Sequence, residues 1–437
     1  MAEIGAFAQS TSELSGKRRG DVDPMNLIVL AIYLAVGPVD EKAWPRVPES
    51  FVTHADVFSA GEGGYFAFRI PAVEATPEGI LLAFAEARKY NLNDPGFGKQ
   101  DIDLVLKRSS DGGLTWSELQ VIEDPGEMWS AANPATVFDR ATGRVWVFYI
   151  RCRPERSTRT ARAGTDDVLV LARWSEDNGK TWSEAVDLTP VARDYHDPTW
   201  RMTVPGPGGA IQTRTGRLLV PAWKVDGWNN FVIFSDDHGK SWQRSSFVPG
   251  GKEGNENQLV ELADGRILMD IRQSKGPHRW QSISGDQGQT WSEPFPGHEV
   301  TPVACAIERY PGGRVAGRQD LIVWTGPKGP GRQTLTLRIS EDGGQTFKHS
   351  YIIAEGPAAY SDLTVLPNGN LAILWERDNY RRITLTIVSK EFFQTLGQLW
   401  GFPIGSWEPL KGGQAKSPFS ESLGLHSATS RYPRSAG

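Results

Sequence analysis

Apolar and polar residues alternate in short runs along most of this chain, as in DIDLVLKR (101–108), DDVLVLAR (166–173) and NNFVIF (229–234). Period-two alternation over six to eight residues reads as a half-buried β-strand. Other runs are almost wholly apolar: ILLAFAEAR (80–88), VWVFYIR (145–151), LLVPAWK (218–224), ILMDIR (267–272) and LAILWER (371–377). Each is opened by a turn signal, PEG, TGR, TGR, DGR or NGN, whose glycines are Gly79, Gly143, Gly216, Gly265 and Gly369. A glycine between two apolar runs reads as a hairpin turn. The segment GGRVAGRQDLIVWTG (312–326) falls in the longest gap as a degenerate sixth member.

A second series is interleaved with the first. SSDGGLTW (109–116), SEDNGKTW (175–182), SDDHGKSW (235–242), SGDQGQTW (284–291) and SEDGGQTF (340–347) repeat one pattern at steps of 66, 60, 49 and 56 residues. Within it the aspartate is suited to accept bonds from nearby backbone N–H groups, and the glycine supplies positive φ. The closing ring can tuck beside the neighbouring sheet. The repeated aspartates therefore read as outer-turn staples rather than as reactive groups.

Two interleaved series at this spacing give six units of about four strands each, the pattern of an all-β, six-bladed β-propeller of antiparallel blades. A β-helix is the weaker alternative, because its repeats are much shorter. The expected organisation is an N-terminal segment over 1–45, the propeller over 46–395 and a C-terminal segment ending in a loose tail over 396–437. NLIVLAIYLAV (26–36), preceded by Lys17, Arg18 and Arg19, suits a signal-peptide apolar region, with a flanking strand or helix as the alternative. It is too short to span a bilayer, and a secreted or periplasmic location is favoured over a cytoplasmic one.

Composition narrows the chemistry. Net charge is −5 with no long basic run, which disfavours nucleic acid as a partner. The two cysteines, Cys152 and Cys305, read as buried thiols, and the seven histidines have no zinc spacing, so no metal is expected. The Gly-rich VPGPGGAIQ (204–212) lacks the strand–GxGxxG–helix setting of a dinucleotide site, and no cofactor is expected.

Counting outwards from the hairpin glycines pairs residues at the far ends of the strands. Arg69 meets Arg88, Asn133 meets Arg151, Glu256 meets Arg272, and Tyr360 meets Glu376. If all inner strands run the same way, these ends gather around one mouth. Converging arginines favour a planar anion such as a carboxylate. A tyrosine beside a glutamate suits an activated phenol, and a free aspartate suits a general acid.

FRIP (68–71), the five repeated turns (Asp boxes) and AYSDL (359–363) resemble the bacterial and animal exo-sialidases, or neuraminidases, over about residues 55–390. The resemblance implies that Arg69, Arg272 and Arg332 form a triad clamping the sialic acid carboxylate. It makes Tyr360 the nucleophile, Glu256 its partner base and Glu376 the carboxylate that holds Arg69. Arg88 becomes a contact to glycan hydroxyls. Asp94, six residues beyond Arg88 in KYNLNDPGFG (89–98), matches the acid/base, with Asp101 and Asp103 as competitors in a strand. Relatives often carry an aspartate where this chain has Asn133 before Pro134; Asn133 and Trp129 are the candidates for the acyl-group pocket.

The implied activity is retaining hydrolysis of terminal sialic acids from glycoconjugates through a tyrosyl intermediate. Sialidases are an exception among retaining glycosidases, which mostly attack with a carboxylate. The substrate already carries a carboxylate at its anomeric carbon, so a neutral phenol escapes the repulsion. Alternatives are a trans-sialidase, a hydrolase specific for deaminated sialic acid, and a non-catalytic sialic-acid-binding propeller.

Overall fold

Strands form where the alternation and the apolar runs place them, and each hairpin glycine adopts positive φ, from 75° at Gly143 to 98° at Gly216. The computed structural model describes residues 44–227, 229–250, 254–310 and 321–400. The apolar stretch at 26–36, the C-terminal tail and the turn of the degenerate hairpin lie outside them. That hairpin's flanking strands, Ala306–Tyr310 and Leu321–Pro327, are paired antiparallel.

The fold is all-β apart from short helical segments. Its strands form sheets of nine, five, four and seven. In the nine-stranded sheet, two antiparallel runs meet at a parallel bridge between Ile102 and Ser130. In the seven-stranded sheet, the long strand His349–Val365 pairs with Gln333–Ser340 over its first half and with Leu371–Arg377 over its second. Val52–Ser59, the first strand, pairs with Arg382–Val388, the last, so the two ends of the described chain share one sheet. The helix Lys390–Leu399 covers this region, stacking Phe393 on Tyr310 with ring centroids 4.0 Å apart.

The five repeated turns are built alike. In the turn at 175–182, Ser175 Oγ donates to Asp177 Oδ1 at 2.8 Å and accepts from Gly179 N at 2.8 Å. Thr181 donates to Asp177 through its N–H at 2.8 Å and its hydroxyl at 2.7 Å. The same four bonds recur around Asp111, Asp237, Asp286 and Asp342. Each turn lies against the strands of the unit before it: Gly179 against Leu82, Gly239 against Trp146, Gly288 against Leu219, Gly344 against Leu268. Gly113, in the first turn, abuts Leu385 in the last strand, where a Cβ would come within 2.2 Å of Leu385 Cδ2. The closing rings of all five turns join the hydrophobic clusters between successive units.

A feature beyond the predicted hairpins recurs in the inner strands. Ala67–Ala75 is in register at Arg69↔Glu86 and again at Ala72↔Phe84, so one extra residue is inserted between. The same one-residue excess occurs between Ala132 and Ala135, between Gly254 and Asn257, and between Ala358 and Ser361. A β-bulge interrupts the ladder, bends the strand and re-aims a side chain. Ile70 and Asn133 take φ of 56° and 55° there, and a β-branched residue in that region is strained.

Bulging also frees backbone N–H groups, which must find a partner when buried. Ile70 N donates to Glu376 Oε1 at 3.0 Å and Tyr360 N to Glu376 Oε2 at 3.1 Å. Asn133 N donates to Glu86 Oε1 at 2.9 Å, and Glu256 N to Asn255 Oδ1 at 2.8 Å. Glu376 and Glu86 are 1% and 0% exposed. Their charges are met by Arg69, whose Nε lies 2.9 Å from Glu376 Oε1, and by Arg88, whose Nε lies 3.0 Å from Glu86 Oε2.

The opposite ends of the inner strands enclose a cavity of about 260 Å³ lined by Glu74, Glu308, Arg140 and Arg309. Burial pushes the Glu74 carboxyl up to about 8, with Glu308 adding to the effect, and burial pushes Glu308 up to about 7.

Two stability outcomes follow from this architecture. Glu376→Ala leaves the Arg69 guanidinium buried without its partner, and should lower unfolding stability in urea by about 3–5 kcal/mol. Glu176→Ala, on an exposed pair with Arg144, should cost about 1 kcal/mol or less; equal losses would contradict the role given to Glu376. Glu74 and Glu308 hold protons in the folded chain above the 4.5 of a free glutamate. The folded state therefore binds more protons between about pH 4.5 and 8, and stability falls as pH rises through that window. Glu74→Gln should flatten the decline in Tm between pH 5 and pH 8; an unchanged slope would contradict it.

Candidate functional site

Three of the four bulges deliver side chains to one cavity of about 270 Å³, and the fourth sets Arg69 and Ile70 at its wall. Arg69, Arg88, Asp94, Asn133, Glu256, Arg272, Arg332 and Tyr360 all line it. Strand ends far apart in sequence meet here because the inner strands share one direction, as the parallel pairing of Gly208 with Ala135 also records.

Tyr360 stands at the centre. Its hydroxyl donates to Glu256 Oε1 at 2.6 Å and accepts from Arg272 Nη1 at 2.7 Å. The same Arg272 nitrogen bonds the other oxygen of Glu256. The guanidinium carbons of Arg69, Arg332 and Arg272 lie 5.3, 5.3 and 5.9 Å from the Tyr360 ring centroid. Burial raises the Tyr360 phenol well above its ordinary value; Arg272 opposes this and Glu256 adds to it. The phenol is therefore neutral at physiological pH. Burial works to lower Arg69 and Arg272, but Glu376 and Glu256 respectively outweigh it and keep both cations charged.

Behind this group, Glu376 takes both Arg69 Nε and, at 3.2 Å, Arg69 Nη2, fixing the guanidinium plane. Asp94 sits at the open side, its side chain 63% exposed, with Oδ1 3.2 Å from Arg88 Nη2 and 3.7 Å from Arg69 Nη1. Asp101 and Asp103 are elsewhere: both are buried and paired with Lys89 at 2.9 and 3.2 Å, and Asp103 also accepts from Tyr65 at 2.6 Å.

Several strand-end expectations need correction. Across the hairpin Arg88 faces Ala67 and Arg69 faces Glu86, yet both arginines reach Asp94; the register set at the turn, Ala75↔Leu81, already puts Arg69 opposite Ala87, and the bulge moves it one residue further. Arg151 turns away from the mouth and binds Glu123, together with Arg173. Trp129 does not line the cavity: its ring packs under Arg153, 5.4 Å from the guanidinium carbon, at the end of the turn Gly126–Trp129. The apolar wall beside Asn133 consists instead of Ile150, Cys152, Met202, Val204 and Trp223.

Two further residues belong to the arrangement. Glu86 anchors both Arg88 and the Asn133 bulge. Tyr380 accepts from Arg332 Nη1 at 2.8 Å while its ring lies 4.4 Å from the Arg69 guanidinium carbon, so it spaces two of the three arginines. Asp378, Asn379 and Tyr380 are consecutive left-handed residues, with φ of 52°, 54° and 67°, and this turn folds the ring back over the site. The Asp-Asn pair is a turn signal, but nothing local says which ring the turn would carry inwards. Among the described residues no group of three or more His, Cys, Asp or Glu side chains could hold a metal ion. Both cysteines are buried and free.

Residues 79–373 match the family model of the BNR repeat-like domain. The chain is 31% identical to a sialidase of Micromonospora viridifaciens over 376 residues, covering 80% of this chain and 56% of that protein. It is 29% identical to a sialidase of Bacteroides fragilis over 358 residues, covering 76% of this chain and 64% of that one. The chain thus spans less than two thirds of the length of either relative. Among solved structures, a Hadza microbial sialidase superimposes with a TM-score of 0.70 at 25% identity, covering 78% of this chain and 69% of that one. Built on a BNR repeat-like domain and matched to sialidases in both sequence and structure, the chain belongs to the sialidase family.

Proposed function

We propose that this chain is a retaining exo-α-sialidase that releases terminal sialic acids from glycans, on a six-bladed propeller spanning about residues 46–395. The observation that carries the reading is the Tyr360 hydroxyl, held between Glu256 and Arg272 at 2.6 and 2.7 Å on the wall of a cavity that Arg69, Arg272 and Arg332 also line. Support for the closed ring comes from the repeated turns, each packed on the unit before it, with Gly113 against Leu385 joining first to last.

Arg69, Arg272 and Arg332 clamp the substrate carboxylate, with Tyr380 and Glu376 holding two of them in orientation. In the first step the Tyr360 oxygen attacks the anomeric carbon and passes its proton to Glu256. The glycosidic bond breaks as Asp94 protonates the departing oxygen. Arg272, already bonded to the phenol oxygen, stabilises the charge it develops. In the second step Asp94 takes a proton from water, whose oxygen displaces Tyr360, and Glu256 returns the phenol's proton. Two displacements at one carbon retain its configuration. The wall of Ile150, Met202, Val204 and Trp223 beside Asn133 is suited to a small apolar acyl substituent.

The wild-type protein should release the fluorophore from a 2-α-N-acetylneuraminide, and Tyr360→Phe should abolish release while still binding a sialic-acid-derived carboxylate inhibitor. Asp94→Ala should slow a lactose-leaving substrate by about 10²–10⁴-fold, and a phenolic one much less. A folded wild type with no turnover, or a fully active Tyr360→Phe, would overturn the reading.

A further inference from the structure

We propose that the lip of the cavity beside Asp94 is a second subsite, in which Arg159 receives a negatively charged sugar on the leaving-group side of the scissile bond. The ligand chemistry is a carboxylate or sulfate on the glycan that departs, and the proposal rests on the reading that Asp94 protonates that group.

Two loops build this lip. The loop carrying Asp94 contributes Phe97 to the cavity wall, and the segment after Cys152 contributes Ser157 and Thr158. The loops are in direct backbone contact: a Cβ at Gly96 would lie 2.1 Å from the carbonyl oxygen of Arg156. Arg159 lies three residues further on, next to Thr158, and its guanidinium carbon is 5.4 Å from the centroid of the Phe97 ring. Its carbonyl accepts from Arg201 Nη1 at 2.9 Å, and Arg201 is itself paired with Asp226 at 2.6 Å. The backbone is therefore anchored while the side chain remains exposed.

Charge pairing singles Arg159 out. Of the arginines on this segment, Arg151 is paired with Glu123, and Arg156 and Arg162 with Asp167. Arg153 lies over Trp129 and donates to the carbonyl of Asp166. Arg159 has no carboxylate within 4.0 Å among the described residues, and it alone of the segment lies against a ring that lines the cavity. Cation–π attraction to the ring holds the guanidinium near the cavity without using its N–H donors, which remain available to an incoming anion. The three-arginine clamp is occupied by the carboxylate of the sugar being cleaved. Arg159 lies outside the set of cavity-lining residues that includes the clamp, against Phe97 on the loop of Asp94, so an anion it receives belongs to another part of the glycan.

The test compares kcat/KM of the full chain on three substrates: α2,3-sialyllactose, a 6-sulfated α2,3-sialyl-N-acetyllactosamine, and an α2,8-linked sialic acid dimer. Arg159→Ala should lower kcat/KM by about threefold to tenfold on the charged substrates that the lip accepts, with sialyllactose unchanged. Arg159→Lys should recover part of that loss, and the difference should shrink as salt is raised. A loss on the dimer alone identifies a carboxylate as the anion, and a loss on the sulfated glycan alone identifies a sulfate. Equal effects on all three substrates, or none on either charged one, would overturn the proposal while leaving the sialidase reading intact. Absence of wild-type turnover on sialyllactose would overturn both.

Discussion

Glu376 accepts four hydrogen bonds from two strands whose own ladders are broken where it binds them: two from Arg69, one from Ile70 N and one from Tyr360 N. A bulged strand in a buried sheet is untenable unless the freed N–H groups are bonded. Here the bonding group is also the counter-ion of a buried cation. One carboxylate thereby fixes where the Tyr360 backbone runs, how the Arg69 fork is turned, and how far apart the two stand. Glu86 repeats the device for Arg88 and the Asn133 bulge. Arg69, Arg88 and the Tyr360 and Asn133 backbones are thus set by buried acids, whereas Arg332 is held by Tyr380 and Asp94 is carried by a loop.

The electrostatics follow from that support. Three guanidiniums around one phenol would ordinarily favour its ionised form, yet burial and Glu256 keep Tyr360 protonated. The charge it would develop on attack is met by Arg272, already 2.7 Å from the oxygen. Asp94 differs from the others in being mostly exposed, which is compatible with the acid/base role proposed for it. At the other end of the same strands, Glu74 and Glu308 face a separate cavity, where burial raises them towards neutrality.

Whatever depended on local backbone chemistry was legible in the sequence. Hairpin glycines, the five Asp-containing turns and the strands between them could be read by inspection, because each is specified within a few residues. Register counting brought Glu256 to Arg272 and Tyr360 to Glu376, since a hairpin propagates its register over its whole length. For Arg69 with Arg88, and for Asn133 with Arg151, the count is one residue off the register of the turn and the bulge adds another, while Arg151 turns to Glu123. Pro71 and Pro134, within strands that otherwise read as central, were available signals for two of the bulges. The bulges at Glu256 and Tyr360 carry no such mark. Trp129, though close to Asn133 in sequence, packs under Arg153, whereas Trp223 reaches the cavity from a different sheet. Glu86 and Tyr380 leave no local mark in the sequence, because their roles come from contacts through space.

In the proposed reaction Tyr360 forms a covalent bond to the sugar. Incubating the protein with a 2,3-difluorinated sialic acid, whose 3-fluorine slows breakdown of any glycosyl-enzyme intermediate, should add one sugar's mass per chain. Peptide mapping by mass spectrometry should locate it on Tyr360. An adduct on Glu256 or Asp94, or turnover of a sialoside with inversion and no adduct, would rule out Tyr360 as the nucleophile.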